Sequence, residues 1–312
     1  MKTLKNKLVA LHEALSTVLR TDELLWDEPL KDHTTFKIGG PADLFIMPRT
    51  MDELSRVMRI ISEADVPLTV LGSGSNVLVL DGGIQGVVLS LCQMKEHLIC
   101  EGNKLVISAG YMLKEVSEFA YENELTGLEF AIGIPGTLGG AIFMNAGAYG
   151  DEMDQITTKV RAVALDGTVH EYGLDELAFA YRHSRFHESH EIVGEVEMTL
   201  KPGVKADILA VMDDLTERRM SKQPLEYASA GSTFKRPTGY FAGTLIEETG
   251  LKGLACGDAE VSRKHAGFVV NKGTASASDV LSVIREVQDR VAKAHGVCLE
   301  TEVRIIGRSK GE

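Results

Sequence analysis

A chain of 312 residues, 44% hydrophobic and 25% charged, has the length of two or three ordinary domains and the composition of a globular protein in water. Its net charge of −12 excludes nucleic acid as the main partner, because neutralising phosphates takes clustered Lys and Arg. No run of about 18 apolar residues occurs, and the start of the chain, with Lys2, Lys5 and Lys7, leads into no apolar signal core, so no membrane insertion is expected and the cytoplasm is the expected compartment. Cys92, Cys100, Cys256 and Cys298 lie far apart without a C-x-x-C pair, so reduced, mostly buried thiols and no metal site are expected.

In residues 1–20, Leu4, Leu8, Leu11, Leu15 and Val18 line one side of a helix, a packing element too short for a coiled coil. Residues 32–42 lack a helical period and end in Gly39-Gly40-Pro41, which reads as a loop. A strand over 44–47, a helix over 52–64 with Leu54, Val57, Met58 and Ile61 inward, and a strand after Pro67 make a β-α-β unit. At its exit, Val70 to Val79 runs apolar, then small and polar, then apolar again: strand, tight loop, strand. Glycines at 72 and 74 permit positive φ and close approach, so the amides of Gly72-Ser73-Gly74-Ser75-Asn76 can converge on an anion. Such open α/β sheets bind ligands at this kind of strand exit. It is not a P-loop, lacking Gly-Lys-Ser/Thr, nor a dinucleotide fingerprint, since Val77 opens an extended segment. A plain glycine-serine turn in a hairpin is the alternative.

Short β-rich runs fill 87–108, and a helix over 113–124 carries Leu113, Val116, Phe119 and Ala120. The second glycine tract, from Ala131 through Ala141 to Gly150, cannot be an ordinary helix interior, where each glycine costs about 1 kcal/mol relative to Ala. It suits backbone lying against a large flat ligand, and a tight sheet edge with several turns is the alternative. Asp166-Gly167 between the runs 160–165 and 168–172 signals a hairpin. The strand 191–200 is closed by Lys201-Pro202-Gly203, where a domain boundary is expected. The next helix buries Ile208, Leu209, Met212 and Leu215 and ends near Arg218-Arg219; a small-residue and basic loop, Ala230 to Pro237, follows. A helix over 279–294 has Ser276 or Ser278 as N-cap and Gly296 as its stop. The terminal strand 297–306 alternates, with Val297, Leu299, Val303 and Ile305 on one face and Glu300, Glu302 and Arg304 on the other.

Both glycine tracts, Tyr181-Arg182-His183-Ser184-Arg185-Phe186, Gly231-Ser232-Thr233-Phe234-Lys235 and Leu299-Glu300-Thr301-Glu302-Val303-Arg304 occur in this order. The set, spread from about Thr34 to Ile306, resembles the UDP-N-acetylenolpyruvoylglucosamine reductase family. There is no room between Phe186 and Ile192 for the family's tyrosine-bearing loop, so the chain looks like the shorter form. The resemblance implies an α+β fold: a two-part FAD-binding domain of the vanillyl-alcohol-oxidase type plus a smaller C-terminal α+β substrate domain. The expected division is 1–30 as an N-terminal helical segment, 31–203 as the FAD-binding domain (about 31–95 and 96–203), 204–296 as the substrate domain, and 297–312 as a strand and tail returning to the active site.

The resemblance also implies chemistry. NADPH gives hydride to FAD, which passes it to the terminal alkene carbon of UDP-N-acetylglucosamine enolpyruvate, donor and substrate sharing one cleft. Leu71, Gly72, Ser73, Gly74, Ser75 and Asn76 would cradle the FAD pyrophosphate. Gly133, Ile134, Pro135, Gly136, Thr137, Gly139, Gly140 and Ala141 would lie along the cofactor. Residues 71–79 hold neither His nor Cys, so the flavin is expected to be non-covalent. Arg182 matches the arginine on the substrate carboxylate, whose charge grows in the transition state. Ser232 matches the proton donor to an enolate-like intermediate. Glu302 matches the glutamate that works with the arginine, either protonated as a donor or ionised as an organiser. Without the resemblance, Arg182 reads as a surface partner of a neighbour such as Glu188, Ser232 as a turn residue, and Glu302 as a strand-face partner of Arg304. Arg218, Lys222, Lys235 and Arg236 are candidates to neutralise the UDP diphosphate. A monomer or weak dimer is expected. Two other readings are a flavin oxidase acting on an alcohol or hydroxy acid, and a nucleotide-sugar-binding protein without turnover.

Overall fold

The computed structural model describes residues 3–311; Met1 and Lys2 of the N-terminal segment and Glu312 of the C-terminal tail lie outside the described residues. Thr3 caps helix α1 (Leu4–Leu15), which buries Leu8, Leu11 and Leu15 and stops before Val18. Strands β1 (Leu24–Pro29) and β2 (Pro41–Ile46) lead to α2 (Met51–Ala64), capped by Thr50 and burying Leu54, Val57, Met58 and Ile61. β3 (Leu68–Leu71) enters the first glycine loop, β4 (Val77–Val79) leaves it, and β5 (Ile84–Ser90) follows. The sheet order β1-β2-β5-β3 inserts β5 between the two strands that α2 joins, and β5 runs parallel to β3. β3 and β4 are not partners of one another, so the glycine loop is not a hairpin turn.

Beyond it come β6 (Leu98–Glu101), β7 (Lys104–Ser108), α3 (Leu113–Glu122), β8 (Leu125–Thr126) and α4 (Leu138–Met144). α4 starts inside the second glycine tract, but the glycines do not form an ordinary helix interior. Gly139 and Gly140 occupy its first turn, after the N-cap Thr137, where no full helical interior has to be stabilised. A Cβ at Gly139 would stand 2.8 Å from the Ala109 Cβ, so close packing selects glycine there. β9 (Gly147–Ala148) and β10 (Asp151–Glu152) form a small antiparallel pair. β11 (Thr157–Val163), β12 (Val169–Gly173), α5 (Phe186–Ser189) and β13 (Ile192–Thr199) follow. The antiparallel sheet β12-β11-β13-β7-β6 contains the expected hairpin, turned at Asp166-Gly167 with Gly167 at φ +85.

β14 (Lys201–Pro202) pairs with β8, and α6 (Lys205–Lys222) runs one turn beyond Arg218-Arg219. The remainder holds α7 (Ala242–Glu248), the sheet of β15 (Ala255–Cys256), β16 (Ala259–Val261) and β17 (Val269–Asn271), then α8 (Ala277–His295) and β18 (Arg304–Ile306). Ser276 is the cap of α8: its hydroxyl accepts from the Asp279 amide, and the Asp279 carboxylate accepts from the Ser276 amide. The expected strand 297–306 is shorter, paired in parallel with β4 only over Arg304–Ile306. Leu299 and Val303 are buried whereas Ile305 is 41% exposed, so they do not share one face. The physical reason is that residues 300–302 bond to the loop around Thr233 and Lys235 and not to a neighbouring strand.

By compactness the chain divides into two units. The first comprises Met1–Trp26, Leu44–Ser73 and Gly86–Glu217; the second comprises Asp27–Asp43, Gly74–Gln85 and Arg218–Glu312, so the division falls within α6. Each has its own apolar core. The first is built from α1, α2 and α3 with Ile107, Val160 and Val196 of the antiparallel sheet. The second gathers Phe36, Ile38 and Leu78 onto Ile246, Val280, Ile284 and Val287 of α7 and α8. Burying each such side chain contributes about 1.5–3 kcal/mol, so both cores drive folding. Among the described residues, no helix is long and apolar enough to cross a membrane.

Candidate active site

In the first unit the two glycine tracts meet. A Cβ at Gly72 would stand 2.4 Å from the Thr137 Oγ1, and the Ser73 hydroxyl donates to the Pro135 carbonyl at 3.1 Å. Thr137 is buried, caps α4 through its contact with the Gly140 amide, and forms a bridge with Met112. Gly139 donates to the Ala109 carbonyl at 2.9 Å. These bonds hold the second tract as a shelf beside β3, with Pro135 exposed and Gly133, Ile134 and Gly136 half-buried.

The loop between β3 and β4 is one of the places where the chain passes from one unit to the other. Among the described residues, the amides of Ser73, Gly74 and Ser75 have no protein acceptor. Three successive unfilled amides beside a residue with φ +63 at Gly74 fit an anionic group such as a pyrophosphate. Gly74 admits no side chain, because a Cβ there would stand 2.2 Å from the His33 carbonyl oxygen.

In the second unit the same loop is bonded to the end of the chain. The Asn76 side-chain amide donates to the Glu302 carbonyl at 3.3 Å, and the Arg304 amide donates to the Asn76 carbonyl at 3.0 Å. Thr233 joins the third motif to this arrangement: its carbonyl accepts from the Glu302 amide at 2.9 Å, and its hydroxyl accepts from the Val269 amide at 2.9 Å. Ser232, exposed, is thus one residue from a fixed point that Glu302 shares. Gly231, at φ +74 with open space around its Cα, turns the backbone into Ser232. The Gly267 carbonyl accepts from the Thr233 amide at 2.9 Å, and His265, just before it, is held below its ordinary pKa by burial.

Arg182 sits in a two-residue turn of the first unit, closed by reciprocal bonds at 3.1 Å between Ala180 and His183, with φ +54. Its guanidinium donates to the Asn145 carbonyl at 3.4 Å and to the Gly147 carbonyl at 3.3 Å, and approaches Glu152 at 4.0 Å. Glu188, the neighbour suggested by sequence, pairs with His183 at 3.4 Å. Sequence reasoning did not single out Asn145 or Glu152. The one signal for Asn145 was its place at the end of the glycine tract, where a left-handed C-cap ends α4 at φ +42.

The four basic candidates fall into two groups. Arg218 and Lys222 lie one turn apart on α6, while Lys235 and Arg236 lie on the loop after Ser232. Lys235 pairs with Glu300 at 3.1 Å, and the Arg236 guanidinium lies 4.0 Å over the exposed Phe241 ring.

The profile of the FAD binding domain family matches residues 42–173, and that of the UDP-N-acetylenolpyruvoylglucosamine reductase C-terminal domain matches residues 223–306. The UDP-N-acetylenolpyruvoylglucosamine reductase of Clostridioides difficile (strain 630) is 46% identical over 94% of this chain and 96% of its own length. That of Geobacillus kaustophilus (strain HTA426) is 48% identical over 95% of this chain and 97% of its own. The crystal structure of the enzyme of that name from Thermus caldophilus superposes with a TM-score of 0.77 at 38% identity, covering 91% of this chain and 98% of that one. An α+β chain with an FAD binding domain, a smaller C-terminal domain and relatives matched along nearly their whole length belongs to the UDP-N-acetylenolpyruvoylglucosamine reductase family of flavin-dependent oxidoreductases.

Proposed function

We propose that the protein uses NADPH to reduce the enolpyruvyl group of UDP-N-acetylglucosamine enolpyruvate to UDP-N-acetylmuramate, a cytoplasmic step of peptidoglycan precursor synthesis on which cell shape and division depend. When bound, FAD would supply the hydride chemistry that links NADPH to the terminal alkene carbon. Residues 71–76 would hold its pyrophosphate without a covalent bond, and the tract from Gly133 to Ala141 would lie along it. The observation that carries this reading is the coupling of Asn76 to Glu302: the loop with unfilled amides and the acid share one hydrogen-bonded support.

The chain's own residues then handle charge and proton. Negative charge develops beside the substrate carboxylate, and Arg182, already aimed by two backbone carbonyls, receives that carboxylate. Glu302 orients the carboxyl group together with Arg182. Ser232 Oγ supplies the proton to the carbon adjacent to the carboxylate, a step suited to a hydroxyl only because the enolate-like centre is strongly basic. Arg218, Lys222, Lys235 and Arg236 supply positive charge for the diphosphate in an otherwise acidic chain.

Purified protein is expected to be yellow and to oxidise NADPH only when UDP-N-acetylglucosamine enolpyruvate is present. Protein that stays inactive after reconstitution with FAD would overturn the assignment. NADPH-independent O₂ consumption with an alcohol would point to the oxidase reading, and flavin binding without turnover to the binding-protein reading.

A further inference from the structure

Arg182 is a single side chain on a tight, left-handed turn, and something must fix both its backbone and its head. Asn145 does both. It is fully buried, and every part of its amide is engaged: Oδ1 accepts from the Asp154 amide at 3.0 Å, while Nδ2 donates to the Glu152 Oε2 at 3.0 Å and to the Ala180 carbonyl at 3.3 Å. The Ala180 carbonyl is the same atom that accepts from His183 to close the turn carrying Arg182. Asn145's own carbonyl accepts from the Arg182 guanidinium.

We infer that Asn145 is the positioning residue for Arg182, an inference that rests on Arg182 receiving the substrate carboxylate. Its side chain ties down the turn from which Arg182 projects, and its main chain aims the guanidinium. It also restrains Glu152. That carboxylate stands 4.0 Å from the Arg182 guanidinium, too long for a tight paired fork, and its other oxygen is held by the Asn145 amide. Released, Glu152 could close onto Arg182 and compete for the donors that the substrate carboxylate requires. A buried amide suits this place because it can donate to a carboxylate and a carbonyl while accepting from a backbone amide, which neither Asp nor Leu can do.

The experiment separates the two half-reactions in the FAD-loaded enzyme by stopped flow. Asn145→Gly removes the side chain but accepts φ +42 without strain, and Asn145→Asp keeps the shape while replacing the donor. Both are expected to leave NADPH reduction of the flavin within about twofold of wild type and to slow reoxidation by the enolpyruvyl substrate by at least about tenfold. In an Arg182→Lys background, Asn145→Gly is expected to cost no more than about twofold further, because the two residues act as one unit. Losses that multiply in the double variant, or that fall equally on flavin reduction, would make Asn145 merely structural and overturn the inference. If Arg182→Lys slows reoxidation while both Asn145 variants react at the wild-type rate, the positioning role alone fails. An Arg182→Lys enzyme that reoxidises normally removes the role of Arg182, and this inference with it.

Discussion

At the scale of single residues, the proposed chemistry turns on groups whose local support differs. Ser232→Ala keeps the backbone bonds of Thr233, so NADPH should still reduce the flavin while turnover falls by about 10²–10⁴-fold, the usual worth of a positioned proton donor. Equal loss of both half-reactions would assign Ser232 to structure. His265 gives a pH prediction. Burial lowers its folded pKa, so the unfolded chain binds more protons below about pH 6.5, the ordinary value for a histidine. The stability this difference provides is present above that pH and falls as the pH drops towards the folded value. His265→Gln should flatten this part of the curve of denaturant midpoint against pH, and an unchanged slope would contradict the assignment. Arg182, Ser232 and Glu302 were recognisable as motif residues in sequence. Asn145 and Glu152 were not, because what ties them to the Arg182 turn is a hydrogen bond from Asn145 to Ala180 and one from Asn145 to Glu152, contacts that no local spacing encodes.

Elements with a strong apolar period were legible to within a few residues. α2 and α8 combine a buried stripe with Thr or Ser caps, and the structure selects Ser276 over Ser278. Ser276→Ala should therefore cost about 1 kcal/mol and lower Tm by about 2–4 °C, read by calorimetry. The short helix α4 was hidden because glycines penalise a helix interior, whereas here they occupy a first turn packed against Ala109. The terminal strand was overextended because alternation alone cannot say where a partner strand stops. For the glycine loop, Gly74→Ala forces a side chain against the His33 carbonyl in a left-handed conformation. Strain of about 1–2 kcal/mol from φ alone predicts a drop in FAD affinity of about tenfold or more, measurable by flavin fluorescence. Unchanged affinity would dissociate the loop from the cofactor.

For the whole molecule, sequence indicated an FAD-binding region followed by a substrate region, but not the interleaving of the chain. The second core takes Phe36, Ile38 and Leu78 from segments far ahead of α7 and α8, and the buried Asn271 donates through its side chain to the Phe36 carbonyl at 3.1 Å. Such long-range pairings leave no trace in composition or period. A fragment of residues 218–312 should accordingly fail to give a dispersed NMR spectrum, while adding peptides for 27–43 and 74–85 should restore order. Independent folding of the fragment would show that those segments are dispensable.

The parallel pairing of Val77–Val79 with Arg304–Ile306 has a consequence for the protein's birth on the ribosome. The loop proposed to grip pyrophosphate is synthesised in the first third of translation, yet the strand that anchors its exit emerges almost last. Until then β4 lacks its partner, and closing so large a loop carries an entropic cost that local contacts cannot offset. Cofactor capture is therefore expected to be a late event, following release of the nascent chain.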